Sequence, residues 1–154
     1  MDQLKLLALD EEDLAILSAH VQDAVLKISD VKWLPKENRF VLAMNRFAWE
    51  APPQASGRGK RSRKNFERRR SVLHFERVNA VRATRIRQKA EGAVLELLAI
   101  RFEAGEAPAG TVELVFAGGG AIRLEVECIE AQLSDLGAAW ATENLPTHDL
   151  GETE

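Results

Sequence analysis

The chain has 154 residues, a net charge of −3, 45% apolar and 29% charged residues, enough length and apolar content for one domain with a buried core. No run reaches the ~18 apolar residues that cross a bilayer, and the opening residues lack the basic flank and apolar stretch of a secretory signal. The single cysteine, Cys128, excludes an internal disulfide and a thiolate metal cluster, and it suits a reducing cytoplasm.

Residues 4–9 are short and apolar and read as a strand. Asp10 follows as an N-cap, with Glu11, Glu12 and Asp13 meeting the positive end of a helix dipole. Leu14, Leu17 and Val21 recur at helical spacing, with Ile16 and Ala24 widening the stripe, which predicts a helix over residues 11–22. Residues 24–34 read as extended chain, broken near Ser29 and Asp30. Pro35 and Asn38 mark a turn, since Pro presets φ and Asn tolerates the left-handed region. The return strand, residues 39–45, carries Phe40, Leu42 and Met44 on one face, and Phe47 and Trp49 close it.

Residues 51–70 are different in kind. Pro52, Pro53, Gly57 and Gly59 sit among eight basic residues, and Phe66 is the one large apolar side chain. Such a segment buries too little to offset ordering costs of ~1–2 kcal/mol per residue, so a mobile basic loop is expected. Strand pattern returns at Ser71. Leu73 and Phe75 form an inward pair, and the alternation falters near Val78 and Asn79 as at a bulge. Residues 93–103 form a long strand, in which Val94, Leu95, Leu97 and Leu98 suggest cover on both faces. In residues 111–127, Val112, Leu114 and Phe116, then Ile122, Leu124 and Val126, alternate with polar residues around Gly118–Gly120. That is a hairpin with one buried face. Ile129, Leu133 and Leu136 then suggest a closing helix over residues 128–136, with Gly137 beyond its end and Trp140 folding back.

The expected fold class is α+β. An N-terminal strand and helix precede an antiparallel meander of about seven strands, paired in sequence order and bent into a partly closed barrel or two packed sheets. A C-terminal helix caps the open end. Residues 1–140 form one domain and residues 141–154 an acidic tail. By strand count and helix position this is similar to a pleckstrin-homology-like domain.

Motifs for chemistry are scarce. His20, His74 and His148 show no metal-ligand spacing, and no G-x-S-x-G, H-E-x-x-H or C-x-x-C pattern occurs. His20 reads as structural and His74 as solvent-facing. Cys128 has acidic neighbours, which disfavour a thiolate nucleophile. The Gly118–Gly120 run leads into a strand rather than a helix, so it is a turn and not a phosphate loop. No catalytic, metal-ligating or cofactor-binding residue is assigned.

Charge is unevenly spread. Residues 58–89 hold 13 of the 21 Lys and Arg and carry +11, while the remainder carries −14. Arg58, Lys60, Arg61, Arg63, Lys64, Arg68, Arg69 and Arg70 are therefore candidates for binding a polyanion such as nucleic acid, with Phe66 free to stack on a base. An anionic lipid surface would suit the same charges. The plainer reading is a solvated loop that balances the acidic remainder.

The runs LLALDEED (6–13), SAHVQDA (18–24), LPKENRF (34–40), NRFAWE (45–50), LHFERVNAV (73–81) and CIEAQLSDL (128–136) together resemble a proteobacterial domain-of-unknown-function family. The resemblance covers the chain up to about Trp140. It implies a small cytoplasmic bacterial protein without an assigned activity and adds no catalytic residue. It also implies that the arginine-rich insertion at 51–70 varies between members. Taken together, the expected function is a non-catalytic cytoplasmic domain that binds a partner protein. Polyanion binding and an undetected small-molecule enzyme stand as alternatives, and free strand edges permit a homodimer.

Overall fold

The computed structural model describes residues 3–50, 67–86 and 92–136. Strand β1, Lys5–Ala8, leads into helix α1, Glu11–His20. Asp10 caps that helix, its carboxylate accepting from the Asp13 amide at 2.8 Å. Leu14, Leu17 and Val21 are buried, but Ile16 is 51% exposed, so the apolar stripe is narrower than its sequence spacing suggests. The helix lies against β1 and, further along the chain, β7.

Nine further strands follow: β2 (Ala24–Lys27), β3 (Val31–Leu34), β4 (Arg39–Phe47), β5 (Arg68–Phe75), β6 (Val78–Thr84), β7 (Val94–Ala104), β8 (Gly110–Phe116), β9 (Ala121–Val126) and β10 (Ala131–Asp135). The expected break in the second strand is a short 3-10 turn, Ile28–Asp30, between β2 and β3. Asn38 takes the left-handed conformation, φ 53°, at the turn before β4. The expected bulge is a register shift between Val78 and Ala80 where β6 pairs β9. Gly118 and Gly119, at φ +89° and +92°, make the turn of the β8–β9 hairpin.

The strands form one antiparallel sheet in the order β1-β10-β5-β4-β2-β7-β8-β9-β6, with β3 also pairing β4. The sheet is not closed. Its inner face gathers Phe40, Leu42, Met44, Leu73, Phe75, Val112, Leu114, Phe116, Leu124 and Leu133 into one core with the buried side of α1. Burying a large apolar side chain contributes ~1.5–3 kcal/mol, so this shared layer holds the curl of the sheet.

Several expectations are corrected. There are ten strands among the described residues rather than about seven. Residues 131–135 are a strand, not part of a helix, and α1 rather than a C-terminal helix packs on the open core. The apolar positions of this run satisfy both periods, since Ile129 and Leu133 are four apart and also lie on one face of an alternation with Ala131. An isolated helix this short is marginal, whereas a strand slot between β1 and β5 offers hydrogen bonds on both edges. Arg68, Arg69 and Arg70 open β5 instead of closing a loop. Residues 51–66 lie outside the described residues, as do Gly137, Trp140 and the tail. Val94 and Leu98, expected to be covered, are 61% and 41% exposed, because the outer face of β7 has no layer over it.

Gly110 at the start of β8 tests the packing. A Cβ there would strike the ring of Phe102 and sit 2.6 Å from the Glu103 carbonyl oxygen. Gly110→Ala should lower stability by about 1–3 kcal/mol in urea denaturation. Gly92→Ala, with nothing within 4 Å of the added carbon, should change it by less than about 0.5 kcal/mol.

Candidate functional site

Two features of the inner face depart from a plain apolar core. One is a buried ion cluster. The inward series of β4 runs Phe40, Leu42, Met44 and then Arg46, whose side chain is wholly buried. On β10 the corresponding series Ala131, Leu133 ends in Asp135, and β5 sets Ser71 between them by register. Arg46 Nε donates to Asp135 Oδ1 at 2.9 Å, and Nη2 donates to Oδ2 at 2.9 Å. Ser71 Oγ donates to Asp135 Oδ1 at 2.6 Å and accepts from Arg46 Nε at 3.1 Å. The Leu4 amide and Arg69 Nη1 complete the carboxylate, each at 3.1 Å. On its other side the Arg46 guanidinium makes a second two-pronged contact, with Glu50 at 2.9 and 2.7 Å. The charges are desolvated but fully hydrogen-bonded, the condition under which a buried pair is tolerated.

Burial alone would raise the Asp135 pKa. The hydrogen bonds from Arg46, Ser71 and the Leu4 amide, with the Arg46 charge, outweigh it and bring the group down to about 2. Glu50 is lowered in the same way: burial opposes, and the Arg46 hydrogen bond prevails. Burial depresses Arg46 and Arg69, but their carboxylate partners raise both above the ordinary value. A cluster so saturated is a structural clasp. It leaves no carboxyl near neutrality to move a proton.

The second feature is a cleft of about 620 Å³ where the sheet fails to close. Val31 and Trp33 of β3 form one wall, and Val81 and Ala83 of β6 form the other. Phe40, Leu95 and Ile122 lie at its base, Ile86 at one end, and Ser29 and Lys32 supply its polar atoms. Its volume and its apolar lining with a few polar groups match ordinary ligand sites of roughly 300–1,000 Å³. The 3-10 turn shapes it by ending β2 and turning β3 away from β7. That turn is held from outside: Asp30 Oδ2 accepts from the Lys27 amide at 3.3 Å, and Asp30 Oδ1 meets Arg70 Nη2 at 3.4 Å.

The basic candidates from the sequence separate into two groups. Arg58, Lys60, Arg61, Arg63 and Lys64 lie outside the described residues. Arg68 stacks over the Phe47 ring at 5.1 Å. Arg69 joins the ion cluster, and Arg70, buried on the outer face, reaches Asn45 Oδ1 at 3.3 Å as well as Asp30. The histidines hold local bonds: His20 Nδ1 is 2.8 Å from the Ile16 carbonyl oxygen, and His74 Nδ1 is 2.8 Å from Glu76. Among the described residues no group of three His, Cys, Asp or Glu could hold a metal ion. No described helix is long and apolar enough to cross a membrane. Sequence reasoning missed the cleft and the clasp. The signal for the clasp was a charged residue at an inward strand position, at both Arg46 and Asp135.

One family model, described as a protein of unknown function (DUF2948), matches residues 4–148. No curated protein and no solved structure matches the chain.

The clasp has a pH signature. The folded pKa of Asp135 lies below its ordinary 3.8, so its contribution is complete above about pH 4 and is lost as pH falls through about 2. Acid titration of urea stability should show this loss in the native chain and a flatter profile in Asp135→Asn. Arg46→Met leaves Asp135 buried without its main partner and should cost about 3–5 kcal/mol at pH 7.

Proposed function

We propose, from the premise that the chain belongs to the DUF2948 family, that it is a non-catalytic binding domain whose ligand site is the cleft between β3 and β6. The observation that carries this reading is a cavity of about 620 Å³, lined mainly by apolar residues and flanked by Trp33, on a sheet whose charged cluster is already saturated. An indole ring in a wall of a cleft offers a large apolar face and a site for stacking. The reading includes a bacterial, cytoplasmic setting, supported by the lone Cys128 and by the family-like sequence runs, with a protein as the partner.

The charge of +11 over residues 58–89 favours a second reading, polyanion binding through Arg58, Lys60, Arg61, Arg63 and Lys64. Arg68, exposed at the start of β5, stands beside that segment and adds to its field, whereas Arg69 and Arg70 are paired with carboxylates. The reading requires duplex DNA or RNA binding that weakens steeply with salt and disappears when residues 58–66 are replaced by a Gly/Ser linker. Unchanged binding after that replacement contradicts it.

For the leading reading, anilinonaphthalene sulfonate is a suitable probe, being a flat apolar body with one anionic group. It should bind the native chain saturably at a single site. Ala83→Trp fills the cleft and should weaken the dye by at least about tenfold, roughly 1.4 kcal/mol, at an unchanged urea midpoint. Equal binding by that variant places the dye elsewhere and contradicts the assignment.

A further inference from the structure

The cleft is bordered by two strand edges that share no ladder across it. Among the described residues β3 pairs only with β4, and β6 only with β9. The two edges run in opposite directions. Asn38, just past the end of β3, meets Val78 at the start of β6: the Val78 amide donates to the Asn38 carbonyl at 2.9 Å, and Asn38 Nδ2 donates to the Val78 carbonyl at 3.0 Å. Ile86, past the end of β6, lines the cavity together with Ile28 and Ser29, which precede β3.

Hydrogen-bond parity identifies the main-chain groups that face the gap. In an antiparallel ladder alternate residues turn both N–H and C=O towards one neighbour, and the residues between turn theirs the other way. The Ala48 amide donates to the Glu67 carbonyl, so the even residues of β4 bond β5, and Arg39 and Val41 bond β3 at Leu34 and Lys32. Val31 and Trp33 are left facing the cleft. The Phe116 amide donates to the Gly120 carbonyl, so Ile122, Leu124 and Val126 bond β8. Arg123 and Glu125 then bond β6 at Arg82 and Ala80, which leaves Val81 and Ala83 facing the cleft. The Val31 amide is taken up by the Ile28 carbonyl. No bond among the described residues takes up the outward N–H and C=O of Trp33, Val81 and Ala83. The side chains of these same three residues line the cavity, so an apolar wall carries a rim of main-chain donors and acceptors.

That rim restricts what can fill the cleft. Hydrocarbon alone strips water from these groups and returns nothing, and a buried donor or acceptor without a partner costs free energy. In a complete ladder each such residue is answered by one N–H and one C=O side by side, in the plane of the sheet. A ring lactam or imide carries the same pair on the edge of a flat apolar body. Lying in the plane of the absent ladder, it sets one face on Trp33, Phe40 and Ile122 and turns its polar edge to β3 or β6.

We infer that the cleft takes a planar, largely apolar heteroaromatic molecule with an N–H beside a C=O on its edge, read by the main chain of Trp33, Val81 or Ala83. The inference rests on the reading of the cleft as the ligand site, and it gives that site to a small molecule rather than to the partner protein. A site that hydrogen-bonds a donor discriminates strongly against an analogue lacking it, because the site's own acceptor is then left unpaired.

The test uses the full chain and displacement of anilinonaphthalene sulfonate by three uncharged probes: 4-methylquinolin-2(1H)-one, its isomer 1-methylquinolin-2(1H)-one, and octan-1-ol. The two isomers share ring, methyl group and carbonyl, but only the first has an N–H. The 4-methyl isomer should bind about tenfold or more tighter than the 1-methyl isomer, and tighter than octan-1-ol. Amide hydrogen exchange should slow on its binding at Trp33, or at Val81 and Ala83, while Lys32 and Arg82, whose amides enter ladders, stay unchanged. Equal binding of the two isomers overturns the inference, as does tighter binding of octan-1-ol or unchanged exchange at all three edge residues. Absence of displacement by any probe, with Ala83→Trp still excluding the dye, overturns the ligand class and leaves the cleft as a site for something else. Dye binding indifferent to Ala83→Trp removes the cleft reading itself.

Discussion

The two-sided grip of Arg46 on Asp135 and Glu50 is the interaction on which the rest of the sheet depends. Asp135 sits on β10, Arg46 on β4 and Ser71 on β5 between them, so one carboxylate fixes the relative register of three neighbouring strands. The Leu4 amide adds the entry to β1, the outermost strand on that side. An apolar side chain at either position would bury as much surface but would accept many registers. A bidentate guanidinium–carboxylate pair accepts one.

This clasp ties one half of the sheet together, and the other half curls on its ladders and the packing of its inner face. From β2 onward the strands follow β7, β8, β9 and β6 around the core, drawn inward by Leu97, Leu114, Phe116 and Leu124. The curl brings the start of β6 to Asn38, just past the end of β3, and Ile86, past the end of β6, into the same cleft as Ile28 and Ser29. The 3-10 turn at Ile28–Asp30 widens the gap at one end, and Asn38 pins it at the other. The cleft thus follows from one strand break and from two edges that share no ladder with each other. Free strand edges are commonly guarded by charge, and the exposed Arg82 on β6 stands where such a guard is needed.

Much of the fold was legible in the sequence where one period dominated. The β8–β9 hairpin alternates cleanly from Val112 to Val126, and all six of its inward residues are buried. The N-cap at Asp10, the strand break before Val31 and the bulge after Val78 each carry a local residue signal that tertiary contacts did not override. Residues 128–136 failed because apolar residues four apart and two apart coexist there, and the choice fell to hydrogen-bonding partners far away in sequence. Phe75 and Leu73, paired with Ala131 and Leu133, made that choice. Arg46 was read as part of an aromatic strand end. Its burial depends on Asp135, 89 residues later, a relationship no local pattern encodes. The cleft was invisible for the same reason, since it is formed by edges that never pair.

The most direct measurement is backbone amide hydrogen exchange, residue by residue, on the full chain and on its Arg46→Met variant. The account predicts that the amides pairing β4, β5 and β10 lose protection in the variant while those of the β8–β9 hairpin keep it. Unchanged protection of β5 and β10 in the variant would contradict it.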